Sequence, residues 1–296
     1  MIEIELKKIY DDVQQIKVDE NEIKKFKNES KFSELGVELA KEIVQLFIIT
    51  LSIHTQGCVG LSRDNAILYA LLVRLSKLFR SIIENYCSRK TETVQILNRC
   101  FIETYIDVLC LIKEDKKEIY EDYLKYSLKE DVKLLNTIEE NIKQRGFELA
   151  IETRMKKSIL NVCEKAKISI VDVENFKKHS WIYKSIFDRF QKMQKGIFYE
   201  STYRMCSHSI HGRWTDIYMF NLKEKNGLYE INLDFREPNL KILTPTALCL
   251  ADVLLTFIEY IFPKEKATVL SPRIIDNYNN ILLLEKEHEL FVINHY

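Results

Sequence analysis

Glycine and proline are scarce in this sequence, which holds 7 and 4 of them among 296 residues; average usage would give roughly 20 and 15. Both residues interrupt regular structure and mark turns. Their scarcity therefore favours long helices joined by short connections. Charge of one sign is also missing, because Lys+Arg and Asp+Glu both number 44. This balance does not indicate a large basic surface that binds nucleic acid without specificity, but it leaves a local basic groove open.

The chain also lacks the features of a secreted or membrane-spanning protein. Its 7 cysteines are scattered and include no C-x-x-C pair, which is typical of reduced thiols in the cytoplasm. Its N-terminus has no apolar signal region,. Of two apolar stretches, 43–53 is too short to span a bilayer, and 248–262 carries Asp252 and Glu259,. The sequence predicts a cytoplasmic protein without a membrane segment.

Hydrophobic residues recur along most of the chain at intervals of three or four, which is the spacing of one helix face. The most apolar periodic segments predict buried core helices at about 32–54, 63–87, 93–112 and 246–262. Between them, residues 113–170 predict two amphipathic helices, and the segment from about 179 to 198 predicts another,. Ser62 is a suitable N-cap for the second core helix,.

After Trp214 the apolar pattern alternates with a period of two. Two short apolar runs flank Asn226-Gly227, a dipeptide typical of a hairpin turn. We therefore expect a mainly α fold, a multi-helix bundle with one inserted β-hairpin at about 217–235. Residues 31–296 should form a single helical domain. The highly charged residues 1–30 predict an N-terminal helical arm,.

The segment 199–214 holds the most concentrated group of reactive side chains, including two of the 6 histidines. In a helix it would align four polar side chains on one stripe, at i, i+3, i+4 and i+7: Arg204, Ser207, His208 and His211,. An imidazole can exchange protons near neutral pH, and a guanidinium can bind a phosphate. The pattern suits phosphodiester cleavage, with His211 as the acid–base residue, Arg204 as the phosphate ligand and Ser207 or His208 as an auxiliary.

A second polar stripe lies on the apolar helix predicted at 93–112. Arg99, Glu103 and Asp107 follow one another at intervals of four. Charges on a central helix are seldom buried unless they are paired. We therefore expect these side chains to meet partners from another element, either for substrate or ligand binding or for packing.

The two stripes together resemble a bacterial all-helical family of unknown function. The resemblance rests on Arg99-x-x-x-Glu103 and on the later Tyr203-x-x-x-Ser207-x-x-x-His211. Members carry an RxxxE helix preceded by an amphipathic helix, and later a YxxxSxxxH element that a further helix follows. The resemblance implies an all-helical fold. As site residues we predict Arg99, Glu103 and Tyr203 for substrate or ligand binding. Here the sequence instead predicts a hairpin straight after the second motif.

A wider resemblance is to HEPN proteins (higher eukaryote and prokaryote nucleotide-binding), which are small helical bundles. Many are metal-independent ribonucleases of toxin–antitoxin and phage-defence systems. Their mark is an arginine and a histidine separated by four to six residues, and Arg204 and His211 stand at the long end of that range. The resemblance implies RNA as the substrate, catalysis without a cofactor, a homodimer with two motifs across its interface, and a cognate regulator protein.

Three other interpretations remain open. Arg99 and Glu103 could meet Tyr203 and His211 in a buried polar network that fixes two helices without any chemistry. A helical sensor could use Arg99, Arg204 and the two nearby histidines to hold a nucleotide or another phosphate-containing ligand. A metal set of those histidines with Glu103 has the least support. The sequence thus predicts either a HEPN-like ribonuclease or a non-enzymatic helical module that binds a partner protein or a phosphate ligand.

Overall fold

The computed structural model describes residue 8 and residues 10–56 and 59–295. It is 76% helical with a two-stranded antiparallel hairpin, which confirms the predicted fold class. The helices are α1 Glu20–Ile23, α2 Glu29–Thr55, α3 Arg63–Cys87, α4 Thr91–Glu114, α5 Lys117–Ser127, α6 Lys129–Arg145, α7 Ala150–Ala166, α8 Ile170–Glu174, α9 Ile186–Lys192, α10 Gly196–Phe198, α11 Arg204–Ile210, α12 Trp214–Asn221, α13 Leu240–Ile261 and α14 Lys264–His295. One π-helical turn, Tyr199–Tyr203, precedes α11, and the strands are β1 Leu222–Lys225 and β2 Leu228–Ile231.

The core is a bundle of the five long helices α2, α3, α4, α13 and α14, which pack against one another. Each contributes fully buried side chains, among them Phe47, Phe79, Phe101, Phe257 and Leu284. The predicted core helices are therefore confirmed. The N-cap of α3 is Ser62, whose hydroxyl accepts from the Asn65 N–H, as its position before the apolar run predicts.

Helix α13 is the central element of this bundle. It begins at Leu240, earlier than predicted, because the Asn239 side chain caps it and Pro245 is accommodated inside the helix,. By length and apolar composition α13 could cross a membrane, but 67% of its most apolar window is buried inside the fold. That burial is typical of a core helix.

The region 113–170 differs from its prediction, since it holds three helices longer than two turns instead of two. Leu128 ends α5, and its side chain turns into a second small core with Val132, Leu135 and Ile159. Burial of this leucine explains the bend between α5 and α6, which together replace one of the two predicted helices. Gly146 ends α6 with a left-handed φ of 83°, which a glycine adopts readily.

The hairpin is confirmed but is shorter than predicted. Residues 214–221 form α12 rather than a strand, because Asp216 and Phe220 are buried one helical turn apart,. The strands pair from Leu222 opposite Ile231 inward to the turn. Asn226 and Gly227 both have positive φ, 53° and 77°, as the favoured two-residue turn requires. A helix therefore does follow the second motif directly.

The predicted helix at 179–198 is also wrong for most of its length. Only α9 is a multi-turn helix there, and Gly196 begins the short α10 instead of ending a helix. Residues before α9 are irregular because Trp181 anchors them in the core and Tyr183 adopts a left-handed φ of 52°. Ser185 then caps α9 by accepting from the Asp188 N–H.

The described N-terminal residues lie on the main bundle. Tyr10, Val13 and Ile23 are buried in its core. The Tyr10 hydroxyl contacts Thr50 of α2, and Arg273 of α14 donates to the Val13 carbonyl at 3.0 Å. Residues 1–7 of the predicted arm lie outside the described residues.

Candidate functional site

The two motifs meet where α11 packs on α4. The Arg99 guanidinium donates to Glu103 Oε1 from Nε at 3.0 Å and from Nη2 at 2.9 Å. Its Nη1 donates to the Tyr203 carbonyl at 3.3 Å and also to the Ser207 hydroxyl. The guanidinium lies over the Tyr203 ring, 3.3 Å from its centroid. We call Arg99, Glu103, Tyr203 and Ser207 the motif network.

Hydrogen bonds within the motif network leave its buried groups satisfied. The Tyr203 hydroxyl donates to Glu103 Oε1 at 2.7 Å, and the Ser207 hydroxyl donates to the Tyr203 carbonyl at 2.9 Å. Burial, with the hydrogen bond to Glu103, raises the pKa of Tyr203, so its hydroxyl stays a donor. Burial also raises the pKa of the neighbouring Cys206 thiol to about 12. Cys206 is therefore not a thiolate nucleophile near neutral pH.

The π-helical turn at Tyr199–Tyr203 sets the direction of α11. Such a turn carries an extra residue relative to an α-helical turn and often occurs at functional sites. The rings of Tyr199 and Tyr203 stack within it at a centroid distance of 5.2 Å, and both contact Phe190. This aromatic packing fixes the start of α11 and turns Tyr203, Cys206 and Ser207 towards α4.

The outer face of α11 carries the other predicted site residues. Arg204 is exposed and pairs with Glu200 at 2.8 Å on its own helical run. His211 is exposed and forms the C-cap of α11, where its N–H donates to the Ser207 carbonyl. His208 is half-buried. The predicted stripe is thus divided, because Ser207 faces α4 while Arg204 and His211 face solvent, outside the motif network.

Metal ligation by His208, His211 and Glu103 does not match this arrangement. Glu103 Oε1 already accepts from Arg99 and Tyr203 on the inner side of α11. Within the described ranges, no group of three His, Cys, Asp or Glu side chains is arranged to hold a metal ion.

The sequence did not identify Arg189, which pairs with Asp107 beside the motif network. Arg189 Nη1 donates to Asp107 at 2.6 Å, and its guanidinium lies over Trp181 at 4.9 Å. These residues, with Glu103 and Tyr203, line a cleft of about 590 Å³. Burial raises the pKa of Asp107 to about 6, although Arg189 opposes the shift. The position of Asp107 on a central helix was the one signal that such a partner exists.

Comparison with known proteins places this site within a family. The model of the Family of unknown function (DUF5677) matches residues 65–228, more than half of the chain. This span contains α3, α4, the π-helical turn, α11 and α12, and so includes the whole motif network. Searches of curated proteins and of solved structures give no significant match. The chain therefore belongs to the DUF5677 family, whose function is unknown.

Proposed function

We propose that the chain is a HEPN-like endoribonuclease that cleaves RNA without a metal ion, at Arg204 and His211. One observation carries the proposal: the two faces of α11 have different roles. The inner face is fixed to α4 by the motif network, which satisfies its own polar groups. Arg204 and His211 lie on the outer face and contribute nothing to that network. Exposed polar side chains that the fold does not need are candidates for substrate contact.

Cleavage by these residues needs only acid–base chemistry and charge neutralisation. The His211 imidazole accepts the proton of a ribose 2′-OH, whose oxygen attacks the adjacent phosphorus. Arg204 binds the phosphate oxygens as negative charge builds there. The bond to the 5′-oxygen breaks as that oxygen takes a proton from His208, leaving a 2′,3′-cyclic phosphate and a 5′-hydroxyl. Ser207 is engaged by Arg99, so the auxiliary role passes to His208.

The ion pair between Arg204 and Glu200 does not block this role. Both side chains are more than half exposed, 65% and 55%. Pairs of this kind contribute about 0–1 kcal/mol, so a phosphate can replace the carboxylate at little cost. The resemblance to HEPN proteins extends the proposal to a cytoplasmic homodimer that acts as a toxin or phage-defence effector under a cognate regulator protein.

A non-enzymatic helical module is the second candidate function. Its support is the motif network, because four side chains saturated with mutual hydrogen bonds can fix the packing of two helices without chemistry,. On this proposal the outer face of α11 binds a partner protein or a phosphate ligand, and the bound molecule leaves intact.

Purified protein with a labelled single-stranded RNA in excess EDTA distinguishes the two functions. We expect wild type to cleave the RNA, and His211→Ala to lower the rate by at least about 100-fold, the usual contribution of a general acid–base group. His295→Ala is the matched control, because this histidine is also exposed and lies at the end of α14. Both variants should keep the thermal midpoint of wild type. Intact RNA with wild type, or undiminished cleavage by His211→Ala, contradicts the proposal.

A further inference from the structure

Three aromatic side chains form an exposed cluster just beyond His211. Trp214 and Tyr218 lie on α12, Tyr229 lies on β2, and they are 59%, 40% and 54% exposed. Their ring centroids are 5.8 to 6.2 Å apart, and the Tyr229 ring stands nearly perpendicular to the other two. We call these three residues the aromatic trio.

The hairpin and α12 together hold the aromatic trio in place. Tyr229 pairs directly with Glu224, and the neighbouring pair on the same face is Leu222 with Ile231,. The Tyr218 hydroxyl donates to Glu224 Oε2 at 3.2 Å and so ties α12 to β1. A two-stranded hairpin is marginal by itself, and here its packing partner is the exposed α12. Packing in the hydrophobic core therefore does not explain why aromatic residues occupy these three positions.

Charges around the aromatic trio favour a ligand with anionic and aromatic parts. Arg213 lies between His211 and Trp214 and is exposed at the start of α12. It places a positive charge next to Trp214 in the chain, on the side of the rings where α11 ends. On the far side, Glu224 carries a negative charge beside Tyr218 and Tyr229. Phosphates are thus attracted to the α11 side, while the rings themselves accept uncharged planar groups.

We propose that the aromatic trio is a stacking platform for unpaired bases of single-stranded RNA, just beyond the His211 end of α11. This inference rests on the proposed function for its choice of RNA, and it adds the substrate class. Base–aromatic stacking contributes about 1–3 kcal/mol per base and tolerates every sequence. Bases in a duplex are already stacked and paired, so the platform selects single strands. The platform then distinguishes single-stranded RNA from duplex RNA, but it does not distinguish one base from another.

The chain has only 2 tryptophans, which makes the platform directly observable. Trp181 is 2% exposed and belongs to the core, so Trp181→Phe leaves Trp214 as the one fluorescent indole. The experiment uses His211→Ala in addition, so that bound RNA stays uncut. Titration with a single-stranded RNA ten-mer should quench Trp214 emission saturably, and a matched RNA duplex should bind at least about 5-fold more weakly.

Tyr229→Leu in this background tests the rings against a general surface effect. Loss of one stacked base should weaken single-strand binding by about 5- to 150-fold. Phe147→Leu is the matched control, because Phe147 is 57% exposed and lies beyond α6, far along the chain from the site. This control should leave the affinity unchanged. Circular dichroism of each variant confirms that the helical fold is retained.

The outcomes separate the platform from the proposed function. If single-stranded RNA quenches Trp214 fluorescence but wild type cleaves no RNA, the ribonuclease proposal is overturned and the stacking platform is supported. Cleavage without quenching, or equal affinity for single strands and duplex, overturns the platform and keeps the ribonuclease. In a third outcome, Trp214 emission shifts to the blue as the protein concentration rises and does not change when RNA is added. This result shows that a second copy of the chain covers the rings, and it also overturns the platform.

Discussion

The Arg99 side chain offers the sharpest test of how α11 is held. Arg99→Met keeps most of the aliphatic length and removes the guanidinium. The change deletes the two hydrogen bonds to Glu103, those to the Tyr203 carbonyl, the Tyr203 hydroxyl and the Ser207 hydroxyl, and the stacking on the Tyr203 ring. Arg99 is 17% exposed, so solvent screens these interactions only partly.

The expected loss follows from the partners that remain. Glu103 is 44% exposed and can be solvated, so its ion pair contributes about 1 kcal/mol,. The hydrogen bonds to Tyr203 and Ser207 contribute about 1 kcal/mol each, and the cation–π contact about 0.5–1 kcal/mol. Arg99→Met should therefore lower the free energy of unfolding by about 3–4 kcal/mol. Tyr203→Phe removes only the hydroxyl and should cost about 1–1.5 kcal/mol.

Urea denaturation followed by circular dichroism measures both losses, and the double variant measures their coupling. The double variant should lose about 1 kcal/mol less than the sum of the single variants, because the two side chains share Glu103. Arg204→Met is a matched control: this arginine also pairs with a glutamate four residues away, in the opposite order along the chain, but on the exposed face. It should cost less than about 0.5 kcal/mol. Equal costs for Arg99→Met and Arg204→Met would refute the assignment of inner and outer faces.

Two further changes test the fold around the site. The pKa of Asp107 rises from 3.8 to about 6 on folding, so the folded protein keeps a proton that the unfolded chain releases as pH rises through this window. The unfolding free energy of wild type relative to Asp107→Asn should then fall by about 2–3 kcal/mol between pH 4 and pH 7 in denaturation experiments, and a rise would contradict the raised pKa. In α2, a Cβ at Gly36 would lie 2.5 Å from Leu240 Cδ1, and Leu240 is buried. Gly36→Ala should destabilise the fold by about 1 kcal/mol, since overpacking outweighs the gain in helix propensity; a higher thermal midpoint would show that the bundle relaxes.

Residue pattern predicted the parts of the fold that depend on local signals. The start of α3 follows from Ser62, and the hairpin turn follows from Asn226-Gly227. The predictions for two segments were wrong because tertiary contacts determine the structure of these segments. In 214–221 a short alternation of apolar residues concealed a helix whose burial depends on Asp216 and Phe220. In the segment before α9, burial of Trp181 overrides an apolar spacing that suits a helix.

The candidate site was predictable in part for a related reason. The charges of Arg99 and Glu103 on an apolar helix required partners, and Tyr203 and Ser207 supply them. The sequence did not predict which of the remaining site residues would be exposed, since this depends in part on where the regular helix ends. Helix α11 ends at Ile210, and His211 leaves helical geometry with φ −100° and ψ 5°. His211 is therefore the exposed C-cap of α11, and its side chain is not part of the motif network.

The two arginine–glutamate pairs show why spacing alone cannot identify the functional arginine. Arg99 with Glu103 and Arg204 with Glu200 both stand four residues apart, and their shortest contacts are 2.9 Å and 2.8 Å. The two pairs have the same spacing in opposite order along the chain, but the arginine side chains are 17% and 65% exposed. A phosphate that binds Arg99 must first break the motif network, whereas one that binds Arg204 displaces a single solvated carboxylate. The cost of freeing the guanidinium, which only the packed structure sets, therefore favours Arg204 over Arg99 as the phosphate ligand that we propose.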